Sequence, residues 1–291
     1  VSGIRIGLDA RDDAARVARV DCDAELPNIT ALGTFPRGEM IPPSLLADSL
    51  PSISVPDEKS ITRIIQLPPI DPALAESAAR FELSTGLLDA SAGFKLSVIT
   101  LGATSGNGGT GSRWLGMAVR QTLVDRMVAQ WLSEDGGHIS VRFTTRAVAL
   151  GRGYLHFCEP VSDGLVLVMD LSASGVSICF VQGGALVGTA CLRGLSDVSD
   201  GRRISEWVSE LQTLVNFRLA TDLSANGAES LSAIVLAGER SDAHDVLREH
   251  FTVPVLAAEP KPTYRTPDDG SSGITASWLV ALGLTVGGGS V

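Results

Sequence analysis

One arrangement occurs twice in this chain, and it limits the possible folds more than any other feature. Ile4-Arg5-Ile6-Gly7-Leu8-Asp9 is a short apolar run that stops at an acid. A turn follows through Asp12 and Asp13, and the strand pattern resumes over residues 15–20. Leu165-Val166-Leu167-Val168-Met169-Asp170 repeats the plan, with a further strand over residues 176–181. Apolar runs of this length, bounded by turn signals, read as strands. Two copies of strand, acid, turn and strand in 291 residues imply an α/β chain in which each half is organised around such a hairpin.

Between the copies lies a block with a different rhythm. Residues 28–56 are rich in Pro and Ser, with one amphipathic piece over 43–50 that predicts a short helix opening at Pro43. A strand over 60–67 closes at Pro68-Pro69, and Asp71 is placed to cap a helix over 72–85 by accepting from its free amides. Strands over 94–101 and 114–119 flank a glycine-rich loop, and a helix over 122–135 follows. The order strand, helix, strand, strand, helix, strand predicts a small α/β unit inserted into a larger one. After the second copy, residues 186–192 pair with 176–181 around Gln182-Gly183-Gly184. Helices over 204–219 and 242–250, strands over 232–236 and 253–255, and an apolar helix over 278–284 complete the chain.

The net charge of −10 and the lack of any basic cluster larger than Arg202-Arg203 argue against nucleic acid and anionic membrane as partners. Four scattered cysteines, Cys22, Cys158, Cys179 and Cys191, fit reduced thiols better than a disulfide framework. No apolar run approaches the length of a membrane span, and no signal peptide is visible. The sequence opens at Val1 without a methionine, which leaves room for segments outside it, a membrane anchor among them.

Four stretches carry a family resemblance. Arg63-Ile64-Ile65-Gln66-Leu67-Pro68, followed by the helix carrying Arg80-Phe81-Glu82, resembles a strand, Leu-Pro and aromatic-Glu helix of the PilM-type proteins of type IV pilus and competence machinery. Residues 166–178 resemble the second phosphate turn of actin-like proteins, residues 231–238 their adenosine-side motif, and residues 276–284 their terminal helix. The resemblance implies a two-lobed actin-like, ribonuclease H-like fold with an inserted small α/β subdomain in the first lobe, as in FtsA. The implied first lobe is 1–60 with 141–163 and 270–291, the insert 61–140, and the second lobe 164–269. It implies a scaffold, cytoplasmic and peripheral to the inner membrane, that grips the short tail of a bitopic PilN-like partner and is not an enzyme. Self-association is also common in actin-like folds. Alternatives are an ATP-binding switch and the cytoplasmic domain of a type II secretion GspL-like protein.

An actin-type site uses glycines and hydroxyls so that backbone amides approach phosphate, with acids organising a metal. Here the first turn keeps Asp9 but has Arg11 where the family has glycine, and Asp12-Asp13 where it has hydroxyls. Two carboxylates there repel phosphate by about 1 kcal/mol per pair even in water, unless Arg11 reaches inward. The second turn keeps Asp170, has Ser172 in place of glycine, and places Gly175 later; the adenosine-side motif keeps Gly238 before Glu239. The nucleotide residues, if the site is retained, are therefore Asp9, Arg11, Asp170, Ser172, Gly175 and Gly238. The expectation is that no cofactor is required and that ATP with Mg is doubtful. The resemblance places Leu67, Arg80 and Phe81 near the wall of the partner groove.

Other motifs have plainer readings. The loop 102–111 lacks the Gly-Lys-Ser/Thr ending of a P-loop. His156 and Cys158 would share one face of a strand, but no second pair completes a metal site. His138, His244 and His250 lie apart, and residues 172–175 lack the nucleophile-elbow frame. The stripe of Trp207, Leu211, Leu214, Val215 and Arg218 predicts burial against its own lobe.

Overall fold

In the computed structural model, the duplicated hairpins seed two sheets of identical plan. The described residues are 3–23, 27–46, 49–87, 93–106, 109–132, 139–162, 164–172, 175–193, 201–220, 230–238, 243–261, 264 and 275–286. β1 (Ile4–Ala10), β2 (Ala14–Asp21) and β3 (Asn28–Pro36) form an antiparallel meander. β4 (Ser52–Val55) and β8 (Arg142–Thr145) extend it in parallel, giving the order β3-β2-β1-β4-β8. The second sheet repeats this with β9 (Leu165–Ser172), β10 (Gly175–Gln182), β11 (Ala185–Arg193), β12 (Leu231–Gly238) and β13 (Val255–Ala257), in the order β11-β10-β9-β12-β13. The founding strand of each sheet is central and buried on both faces, so β9 is apolar at nearly every position instead of alternating.

A third sheet, β5-β7-β6, is antiparallel and built from β5 (Ser60–Leu67), β6 (Phe94–Gly106) and β7 (Gly109–Arg120). α2 (Pro72–Thr85) lies against it through Ala75, Ala79 and Leu83, and Asp71 accepts the amide of Ala73 at 2.9 Å. α3 (Gln121–Trp131) belongs to the first lobe instead: Val124, Met127, Val128 and Trp131 pack with Ile6 and Leu8. In the second lobe, α5 (Gly201–Arg218) and α6 (Ala243–His250) cover β9 and β12, and Trp207, Leu211 and Val215 are buried there.

Between the two large sheets run α4 (Arg146–Phe157) and α7 (Leu279–Thr285), whose apolar residues share one core with Val20, Val166 and Val168. The helices approach backbone to backbone. A Cβ added to Gly283 would stand 1.8 Å from the Ala149 carbonyl, and one added to Gly153 would stand 2.0 Å from that of Leu279.

Several expectations differ from what is found. Residues 28–56, read as a Pro/Ser-rich connection, contain β3 and β4. β4 has only four residues between Pro51 and Pro56, too few for a periodic signal, and β3 is a half-buried edge strand. The helix expected over 43–50 is a single turn, α1 (Pro43–Leu46), and residues 47–48 lie outside the described residues. α4 replaces the strand assumed around His156 and Cys158: His156 sits in its last turn and Cys158 at its C-cap. That helix shows no polar stripe because it is buried on nearly every side, and Gly151 and Gly153 weaken its propensity further. The glycine-rich stretch is the β6–β7 hairpin, with Gly102 at φ +103° beside a register shift. His138 and the tail of the helix expected to reach residue 135 lie outside the described residues.

Candidate functional site

The two acids of the duplicated hairpins meet across the inter-lobe cleft, and a side chain of the protein stands between them. Arg11 occupies the β1–β2 turn, closed by its own amide donating to the Ala14 carbonyl at 2.8 Å, while Asp12 and Asp13 point to solvent. The Arg11 guanidinium turns inward. Its Nε donates to Asp9 Oδ2 at 2.8 Å and its Nη2 to Asp170 Oδ2 at 2.9 Å. A second cation, Arg146 in the first turn of α4, donates from Nε to Asp9 Oδ1 at 3.2 Å and from Nη2 to the Ala10 carbonyl at 2.9 Å. Ser54 adds a bond to Asp9 Oδ1 at 2.8 Å.

The two carboxylates respond differently. Burial alone would raise the pKa of Asp9, but the Arg11 and Arg146 charges, with the Ser54 hydroxyl and the Arg11 hydrogen bond, outweigh it and hold Asp9 well below the usual carboxylate range. Asp170 is pushed up by burial and by the Asp9 charge, which Arg11 only partly offsets. Its Oδ1 is buried without a hydrogen-bond partner. Gly238, at φ +94°, sits directly against that oxygen: a Cβ there would stand 2.5 Å from Asp170 Oδ1. Ser172 donates to the Gly175 carbonyl at 2.9 Å and so ties its own turn together. Residues 173, 174 and 239 lie outside the described residues. The six residues expected around a nucleotide therefore belong to one cleft, with Arg11 bonded to both acids.

A third buried acid was not singled out by sequence. Asp57 begins the 3-10 turn between β4 and β5. Its carboxylate accepts from the Ala147 amide at 3.1 and 3.2 Å, at the start of α4, and from the Ser177 hydroxyl of β10 at 2.5 Å. Burial pushes it up to about 6, with the Ser177 and Ala147 hydrogen bonds and the Arg146 charge working against that. Asp57 thus joins the first lobe, the central helix and the second lobe. An isolated acid in a Pro-Asp-Glu-Lys run carries no motif that would have found it.

The groove between the first lobe and the insert opens where that turn leads into β5. It encloses about 460 Å³ between β5, the start of β6, the end of β7 and α3, and its walls include Lys59, Ile61, Phe94, Arg120, Leu123 and Arg126. Leu67, Arg80 and Phe81 are not among its lining residues. Leu67 ends β5, and Arg80 is held by Glu76 Oε1 at 2.9 Å and by the Leu96 carbonyl at 2.9 Å. Phe81 stands 68% exposed on the outer face of α2. Among the described residues no cluster of His, Cys, Asp and Glu could hold a metal ion, and no helix is long and apolar enough to cross a membrane.

No protein-family model matches this sequence, and no curated protein matches it. Solved structures do. A chain of a PilM-PilN type IV pilus biogenesis complex superposes with a TM-score of 0.70 at 17% identity, covering 97% of each chain. The fold is the two-lobed, actin-like fold of PilM. At that identity the likeness to PilM is one of fold. Less similar structures are a Bacteroides thetaiotaomicron protein with an actin-like ATPase fold and the cytoplasmic domain of EpsL. The first has a TM-score of 0.47 at 9% identity, covering 88% of this chain and 91% of that one. EpsL is an inner membrane component of the type II secretion system of Vibrio cholerae, and its TM-score is 0.45 at 12% identity, covering 96% and 94%.

Proposed function

We propose that this chain is a cytoplasmic scaffold of a type IV pilus-like or competence machine. In this reading it holds the short tail of a bitopic inner-membrane partner in the groove between first lobe and insert, and its inter-lobe cleft does not work as an ATPase site. The observation that carries the reading is Arg11. Its guanidinium bonds both acids that would otherwise organise a metal and its waters, at 2.8 and 2.9 Å. Arg146 and Ser54 take the other oxygen of Asp9. With Asp9 fully bonded and a fixed positive charge already between the acids, the residues present do not fit a magnesium–phosphate group. The lobes are instead joined by a cation that belongs to the chain. PilM, which shares the fold, has been solved in complex with PilN, and this supports the scaffold reading.

The test is a calorimetric titration of ATP with magnesium into the purified chain, paired with a pulldown from detergent-solubilised membranes. The expected outcome is no binding heat at millimolar nucleotide, with a bitopic protein retained whether or not ATP is present. Micromolar ATP binding, or retention that requires ATP, would favour the nucleotide-switch reading instead.

A further inference from the structure

We infer that the groove selects an extended peptide in which an acidic side chain lies within one or two positions of an aliphatic one. This rests on the preceding reading that the groove holds a partner's tail, and it adds the chemistry of that tail.

The groove reverses the character of the molecule. The chain carries −10 overall. Yet among the described residues the groove is lined by three cations, Lys59, Arg120 and Arg126, against one carboxylate, Glu58. Among the described residues none of the three enters an ion pair, whereas Arg11, Arg80 and Arg146 do. Arg120 instead lies over the Phe94 ring, 5.6 Å from its centroid, which fixes the guanidinium at the groove wall with no carboxylate partner among the described residues. Unpaired cations converging on a concavity are an electrostatic complement for carboxylate, and such complementarity sets specificity and on-rate.

The apolar half of the recognition comes from the same walls. Ile61 is 47% exposed at the start of β5, and Phe94 and Leu123 flank it. An aliphatic anchor seated there would place its neighbours in the chain beside Lys59, Arg120 and Arg126, because successive residues of an extended peptide diverge to opposite sides. Two features disfavour a nucleic acid or a lipid headgroup layer: the cations number three in a strongly acidic molecule, and they surround a recess instead of a flat or tracking surface.

The experiment is selection from a random twelve-residue display library on the full chain, with subtraction against an Ile61→Trp variant whose groove is filled. Enriched peptides are then synthesised, and their affinity is measured by fluorescence anisotropy at low and high salt. The expected result is enrichment of Asp or Glu next to Leu, Ile or Val, with affinity falling about fivefold when the acid is exchanged for its amide. A comparable loss is expected on Arg126→Gln, a change at an exposed position that should leave thermal melting in place. Groove-dependent peptides that lack acids, or that tolerate the amide exchange, would overturn the acidic-tail inference and leave the groove reading standing. No enrichment over the filled variant would remove both.

Discussion

Arg11 Nη2, in a turn of the first lobe, lies 2.9 Å from Asp170 Oδ2 in the second lobe, and the two side chains are 11% and 1% exposed. Water and salt screen so buried a contact weakly. Arg11→Ala would leave Asp9 with Arg146 alone and Asp170 with no ion-pair partner. The expected loss is about 3–5 kcal/mol of folding stability, the range for a buried pair broken on one side. Urea melts of Arg11→Ala and of Arg11→Ala/Asp170→Asn check this: the second change should recover part of the loss, because it removes the stranded charge.

Gly238→Ala acts on the same carboxylate from behind. The position has φ +94°, where side chains are strained, and the new methyl carbon would stand 2.5 Å from Asp170 Oδ1. A destabilisation of about 1–3 kcal/mol is expected from the backbone strain alone. It should fall short of additivity with Arg11→Ala, since both changes act through Asp170. A double-mutant cycle reads the coupling directly.

Asp57 predicts a pH dependence. With its carboxyl at about 6 in the folded chain, the native state holds a proton that the unfolded state has lost between the ordinary carboxylate value and about pH 6. This contribution is therefore fully present below the ordinary value and is lost as pH rises through 6. Asp170, also raised, acts in the same direction, whereas Asp9, held low, loses its contribution only in stronger acid. The urea midpoint should rise between pH 7 and pH 5 by more in the wild type than in Asp57→Asn. Over that window the difference corresponds to about 1 kcal/mol. Parallel profiles for the two proteins would contradict the assignment.

The contact between α4 and α7 allows no side chain at its glycines. Gly283→Ala would press a methyl group to 1.8 Å from the Ala149 carbonyl and 2.6 Å from the Gly153 amide, both rigid backbone. Overpacking here should cost about 1–3 kcal/mol or more. Gly184→Asn is the control. It shares a positive φ of 73° but has nothing within 4 Å, and Asn tolerates that conformation, so thermal melting should barely move.

The parts of the fold legible in the sequence were those with a local signal. Strand plus acid, repeated at Asp9 and Asp170, gave the two-sheet plan, and the Asp71 cap and the β10–β11 hairpin follow from turn and capping chemistry. What stayed hidden depends on contacts distant in sequence. α4 has no polar face to reveal its period, because both lobes and α7 surround it. Asp57 becomes notable only when β10 brings Ser177 to it, 120 residues away. Arg11 was visible as a missing glycine, but its direction was not, since the partner that draws it inward is Asp170. Leu67 lies off this recess because it ends β5, opposite Ser112, whereas Ile61 stands at the start of the strand, opposite Ala118; Arg80 is turned to the Leu96 carbonyl and Phe81 to solvent.

A guanidinium tethered to the backbone is present once per molecule at every moment. A diffusible counter-ion has a concentration, and whatever it bridges opens and closes as that concentration varies. Arg11 has none, so the bridge it makes between Asp9 and Asp170 draws no ion from solution.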